Sequence, residues 1–265
     1  MGTSATQEHV GMNRTGIQMS PLETKAMLDV DPALLPKQQG DSTVLADIRS
    51  QYIAEADSLG SVPLPGTFTG AASMAMTMLK GESPTVLLDK LGERLAFERT
   101  GTRLYEALIN KCQVLLNNGG IGISMTVDDL LRIRNDEARH FFLIKEAIES
   151  MGADPTAQTP SADAVGVESL GLVQLLGDGR TSIAQCLHAI ITAELSDKAG
   201  WETLVALADE QGLTELVERF TDALHQEQEH LAMVQTWYSE ALGLSYGDVE
   251  LDSGTAAGTG TTLGS

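Results

Sequence analysis

Four long stretches of this chain carry apolar residues at helical spacing, and each places one glutamate in the middle of its apolar face. At about 100° per residue, Glu98 shares a face with Leu91, Leu95 and Tyr105, and Glu137 with Leu130, Ile133, Phe141, Ile144 and Ile148. Glu194 lies among Leu187, Ile190, Ile191 and Trp201, and Glu227 among Phe220, Leu224, Leu231 and Val234. Burying one uncompensated carboxylate costs several kcal/mol. Four of them turned toward one core therefore demand cations inside it, and any fold of the chain must bring the four faces together.

The punctuation of these stretches sets the topology. The first starts at Ser83-Pro84 and ends at Asn117-Asn118-Gly119-Gly120; the second starts at Thr126 with Asp128 and Asp129 and ends before Gly152. The third runs from near Thr181 to Gly212, and the fourth from near Thr214 to Gly243. Short links make each of these two pairs antiparallel. Between the pairs lies a connector of about 28 residues, Gly152 to Gly179, against the two to eight usual between bundle neighbours. A helix of about 27 residues is roughly 40 Å long, so this connector, with a short helix expected around Val165–Leu176, can run its full length. Aromatic content is only 4%, which argues against strands. The expected fold is all-α: a four-helix bundle with a long crossover between helices 2 and 3, of ferritin-like topology.

Two of the buried glutamates belong to a repeated motif. Asp136-Glu137-Ala138-Arg139-His140 and Gln226-Glu227-Gln228-Glu229-His230 each contain Glu-x-x-His, on the second and fourth helices. Residues at i and i+3 project from one face, so a carboxylate oxygen and an imidazole nitrogen can reach one metal ion. With 20 glutamates and 5 histidines in 265 residues, chance supplies about 0.4 such pairs. Four carboxylates and two neutral imidazoles balance two divalent ions, and the mixed nitrogen and oxygen donors suit iron or manganese. His188 and His225 point away from these faces, and His225 is expected to form a surface pair with Asp222.

The order Glu, Glu-x-x-His, Glu, Glu-x-x-His over residues 84–242 resembles the ferritin-like di-iron proteins, such as bacterioferritin, rubrerythrin and the small subunit of ribonucleotide reductase. The resemblance implies two iron ions held by Glu98, Glu137, His140, Glu194, Glu227 and His230. In it Glu98 and Glu194 are terminal ligands, Glu137 and Glu227 bridge, and each histidine completes one metal. It also implies an oxidoreductase of ferroxidase or peroxidase type, with dioxygen or hydrogen peroxide as oxidant and Glu137, Glu227 and Asp197 as the catalytic carboxylates. Asp197 stands three residues after Glu194, where rubrerythrin has an additional glutamate. Asp136 matches the family's acid that holds the opposite histidine, His230, by its second nitrogen, whereas the other half has Gln226. Ala138 replaces the haem methionine of bacterioferritin, so no haem is expected. Without a CxxC pair the electron donor is expected to be external or ferrous iron itself. The alternatives are a dimanganese catalase, a mixed manganese and iron pair, and a non-catalytic iron-binding stress protein whose metals staple the core. Tyr105, two turns from Glu98, is read as core, with electron relay as the sharper alternative.

The remaining sequence mainly excludes. A formal charge of -20 opposes nucleic acid and anionic membrane surfaces. Cys112 and Cys186 sit apart within helical patterns and suggest no disulfide framework, which fits a cytoplasmic protein. A homodimer is the expected assembly. Residues 1–82 read as an extension with short helices, at Ser20-Pro21, at Thr43–Asp57 and at a Met-rich Thr67–Lys80 whose Met74, Met76 and Met78 fill core. Residues 83–243 form the bundle. Residues 244–265 read as a flexible Gly-, Thr- and Ser-rich tail, ending in Thr262-Leu263-Gly264-Ser265.

Overall fold

The computed structural model describes residues 43–63, 84–117 and 122–244, together with Leu22, Lys25 and Asp29. The helix expected over Thr67–Lys80, the C-terminal tail and most of the segment before Thr43 lie outside the described residues. The chain divides into two compact units, Met1–Asp57 and Ser58–Ser265. In the first, helix α1 covers Thr43–Glu55, and its described side chains are exposed.

The second unit is all-helical among the described residues, with α2 (Pro84–Asn117), α3 (Val127–Ser150), α4 (Pro160–Glu168), α5 (Leu170–Gly177), α6 (Ile183–Glu210) and α7 (Thr214–Ala241). The predicted ends hold to within a few residues. Thr126 starts α3 with a capping box to Asp129, and Ser182 starts α6 with one to Gln185, so each satisfies backbone donors that a helix leaves orphaned. Gly152 and Gly212 follow α3 and α6 with φ of 76° and 67°, a left-handed turn that a side chain would strain.

Cross-helix contacts fix the directions. Glu106 meets Arg134 while Glu98 meets His140, so α2 and α3 are antiparallel. Trp201 packs on Phe220 and His188 on Tyr238, so α6 and α7 are antiparallel as well. Lys111 reaches Cys186 while Arg94 reaches Asp197, so α2 is antiparallel to α6, and α3 must run parallel to α6. A parallel link needs a crossover, and α4 and α5 supply it along α2. Asp89 accepts from the Ser161 amide at 2.9 Å at its start, and Lys111 donates to the carbonyls of Asp178 and Thr181 at 2.8 and 3.0 Å at its end. These two residues of α2 are about 33 Å apart along the helix.

The crossover departs from the single helix expected at Val165–Leu176. Thr159 and Pro160 start a helix earlier, and at Ser169 the chain breaks into α4 and α5. The Ser169 hydroxyl bonds back to the Val165 carbonyl and competes with continuation of the helix.

Two apolar clusters fill the bundle. One contains Leu104, Leu108, Leu130, Ile133, Ile190, Val234 and Trp237; the other contains Leu87, Leu91, Ile144, Trp201, Leu204 and Phe220. On each long helix the glutamate identified above falls in sequence between the residues just named from one cluster and those named from the other. The acids thus form a polar layer sandwiched between two dry ones. No helix among the described residues is long and apolar enough to cross a membrane.

Candidate metal centre

Glu98 on α2, Glu137 and His140 on α3, Glu194 on α6, and Glu227 and His230 on α7 are all at most 2% exposed. They converge into overlapping groups. Donor atoms of Glu137, Glu194, Glu227 and His230 lie within 4.8 Å of one another, and so do those of Glu98, His140 and Glu227. Glu227 belongs to both, and Glu137 joins Glu98, Asp197 and Glu227 in a third group of the same span. Glu227 therefore stands between the two histidines, with Glu98 beside His140 and Glu194 beside His230, and Glu137 shares a group with each of Glu98 and Glu194.

Both imidazoles turn Nδ1 inward. His140 Nδ1 is 2.6 Å from Glu227 Oε1 and 3.7 Å from Glu98 Oε2, while His230 Nδ1 is 3.3 Å from Glu227 Oε2 and 3.7 Å from Glu137 Oε1. The outer nitrogens are held from behind, His230 Nε2 by Asp136 at 3.3 Å and His140 Nε2 by the Gln226 oxygen at 2.7 Å. Asp136 takes the position read from the sequence, and Gln226 serves its own histidine through an amide oxygen. Tyr105 is buried, and its hydroxyl donates to Glu194 Oε1.

The electrostatics are those of an anion cluster short of cations. Burial pushes Glu98, Glu137 and Glu194 well above the carboxylate range, reinforced at Glu98 by the charge of Asp197 and at the other two by that of Glu227. Burial opposes ionisation of Glu227 too, but hydrogen bonds from His140 and His230 outweigh it and bring it down to about 2. Burial alone would lower His230; contact with Glu227 raises it instead. Both oxygens of Glu98 and of Glu137 and Oε2 of Glu194 are buried and make no hydrogen bond. Orphaned acceptors in a core are rare because each forfeits its hydration. Lone pairs aimed into one small volume are the donor set a cation needs, and carboxylates mixed with imidazole suit iron, manganese or zinc over calcium.

Three residues of the centre carry no signal in the motif pattern. Arg94, 3% exposed, has Nη1 2.8 Å from Asp197 Oδ1 and Nε 3.3 Å from Glu98 Oε1. Gly200 makes room for it, since a Cβ there would lie 2.9 Å from Arg94 Cζ. Gly101 does the same for Glu137, where a Cβ would lie 3.0 Å from Cδ. A glycine inside a helical pattern is the one available hint, because it is retained against a helix preference of about 1 kcal/mol only for a local reason. Asp197 is buried with the ligand candidates, and burial raises it to about 6 despite the opposing charge of Arg94.

His188 and His225 are exposed, and His188 stacks on Tyr238 at 5.8 Å. The pair expected between His225 and Asp222 does not form: both are exposed, and water competes successfully for such a contact. Cys112 and Cys186 are free and buried. No protein-family model, curated protein or solved structure matches the chain.

Proposed function

We propose that the chain is a ferritin-like dinuclear metalloprotein, with iron as the first choice of metal, that reduces dioxygen or hydrogen peroxide. The observation that carries this reading is the convergence of four carboxylates and two imidazole nitrogens, with Glu227 shared between the groups that contain His140 and His230. When bound, a ferrous pair supplies two electrons to the oxidant, and an external donor returns them. Glu137 and Glu227 would serve both ions. Glu98 and His140 would help to hold one ion, and Glu194 and His230 the other. Asp136 and Gln226 fix the histidine rings, and the flanking apolar layers limit water.

Metal analysis of protein produced with ample iron tests the reading, with two ions per chain expected and manganese measured in the same sample. Glu137→Ala and Glu227→Ala should each lose both ions, since a bridging carboxylate serves each; Glu98→Ala should retain more. One ion or none in the parent protein refutes the dinuclear centre. Consumption of peroxide or dioxygen by the reduced protein in stopped flow then tests the reaction.

A further inference from the structure

Glu98, Glu137, Glu194, Asp197 and Glu227, each at most 2% exposed, put five carboxylates into the centre. Arg94 is the cation set among them. It leaves α2 one turn before Glu98, and its Nη1 both meets Asp197 Oδ1 and donates to the Asp197 carbonyl at 2.9 Å. Its guanidinium carbon lies 4.2 Å over the Phe97 ring. The fork is thus fixed on two helices and one aromatic face, in a space that Gly200 leaves open. Asp197 offers an oxygen within 4.8 Å of those of Glu98, Glu137 and Glu227, so distance alone would admit it as a ligand. What sets it apart is the closer guanidinium, 2.8 Å from Asp197 against 3.3 Å from Glu98, and the second contact through the Asp197 carbonyl.

We propose that Arg94 is a positioning residue that holds Asp197 out of the metal-ligand set and fixes the charge of the centre at four negative, matched to two divalent ions. The proposal rests on the dinuclear reading above. Five ionised carboxylates and one guanidinium leave four negative charges, which two divalent ions cancel. Recruiting Asp197 to a metal would break the closest ion pair of a buried guanidinium and leave it only Glu98 and a backbone carbonyl, an unfavourable change. Without Arg94 that barrier disappears. Asp197 then becomes a seventh donor, and the centre carries one negative charge too many for two divalent ions.

Cobalt(II) is the probe, because its visible bands weaken several-fold as coordination number rises, and neither stoichiometry nor spectrum depends on turnover. The parent protein should bind two cobalt ions. Arg94→Gln should also bind two, with weaker visible bands and about 10-fold or greater tightening of the weaker ion. Arg94→Gln combined with Asp197→Asn should restore the parent spectrum, which a purely structural role of Arg94 would not allow. Asp197→Asn alone keeps the shape but leaves three negative charges, so it should bind the weaker ion less tightly while keeping the parent bands. Two bound ions with an unchanged spectrum in Arg94→Gln, or a changed one in Asp197→Asn, overturns the role of Arg94 and leaves the dinuclear reading standing. Fewer than two ions in the parent protein overturns both.

Discussion

His140 Nε2 lies 2.7 Å from the side-chain oxygen of Gln226, the residue just before the glutamate of the opposite Glu-x-x-His. The mirror contact joins His230 to Asp136 at 3.3 Å. Asp136 is further bonded by Arg139 and has Arg132 at 3.9 Å. A carboxylate makes an imidazole more basic than an amide oxygen does, so the two halves of the centre are built alike but polarised differently.

The first prediction is that the two bound ions are inequivalent. Stepwise cobalt titration should resolve two environments, and Gln226→Glu should draw them together. Asp136→Ala should weaken binding about 10- to 100-fold, chiefly at the ion bound by His230. A single environment in the parent protein, unmoved by Gln226→Glu, would contradict the asymmetry.

The second prediction concerns pH and the metal-free protein. Glu98, Glu137 and Glu194 are raised well above their usual 4.5, and Asp197 from 3.8 to about 6. Raised folded-state values favour the folded state fully below the usual value, and that contribution is lost as pH rises through the folded value. Glu227 acts oppositely, but its contribution is lost only as pH falls from 4.5 toward about 2. The Tm of metal-free protein should therefore fall from pH 5 to pH 8. Metal should abolish the fall, since ligation needs the ionised carboxylates. Equal Tm values across that range without metal would show that the acids are not jointly buried in solution.

The helices and the six converging donors were legible because their signals are local. A glutamate on an apolar stripe, or a histidine three residues beyond it, is visible within one turn, and Thr126 with Asp129 announces a helix start before any packing is known. Arg94 was not legible. Its spacing from Glu98 is that of any solvated i,i+4 pair, and its other partner, Asp197, is 103 residues away. The break at Ser169 escaped for a similar reason: a hydroxyl bonding back to the fourth preceding carbonyl is one of several conformations open to serine, and the fold selects it.

A third prediction uses Gly101. Gly→Ala within a helix ordinarily adds about 1 kcal/mol of stability. Here the added methyl meets the Glu137 carboxylate, so Gly101→Ala should bind metal about 10-fold or more weakly while its metal-free form stays folded. Gly171→Ala is the control, a helical site where nothing lies within 4 Å of the new Cβ, and its metal binding should match the parent. Parent-like affinity in Gly101→Ala would mean that Glu137 does not need the position seen here.

Tyr105 supports a fourth prediction. Burial, then the charge of Glu194, push its phenol well above its usual value, so it stays protonated and acts as a donor. Glu194 Oε1 accepts from it, while Oε2 makes no hydrogen bond. Tyr105→Phe keeps the ring and removes only the hydroxyl, leaving a buried carboxylate with no donor. That loss is about 1–3 kcal/mol in the metal-free protein, or about 2–4 °C in Tm for each kcal/mol at this size. In the metal-loaded protein Glu194 can satisfy both oxygens at the ion, and the same substitution should lower Tm by less than half as much. Calorimetry of both proteins, with and without metal at one pH, measures the difference. An equal drop in the two states would make the hydroxyl a general packing contact and remove Glu194 from the ligand set.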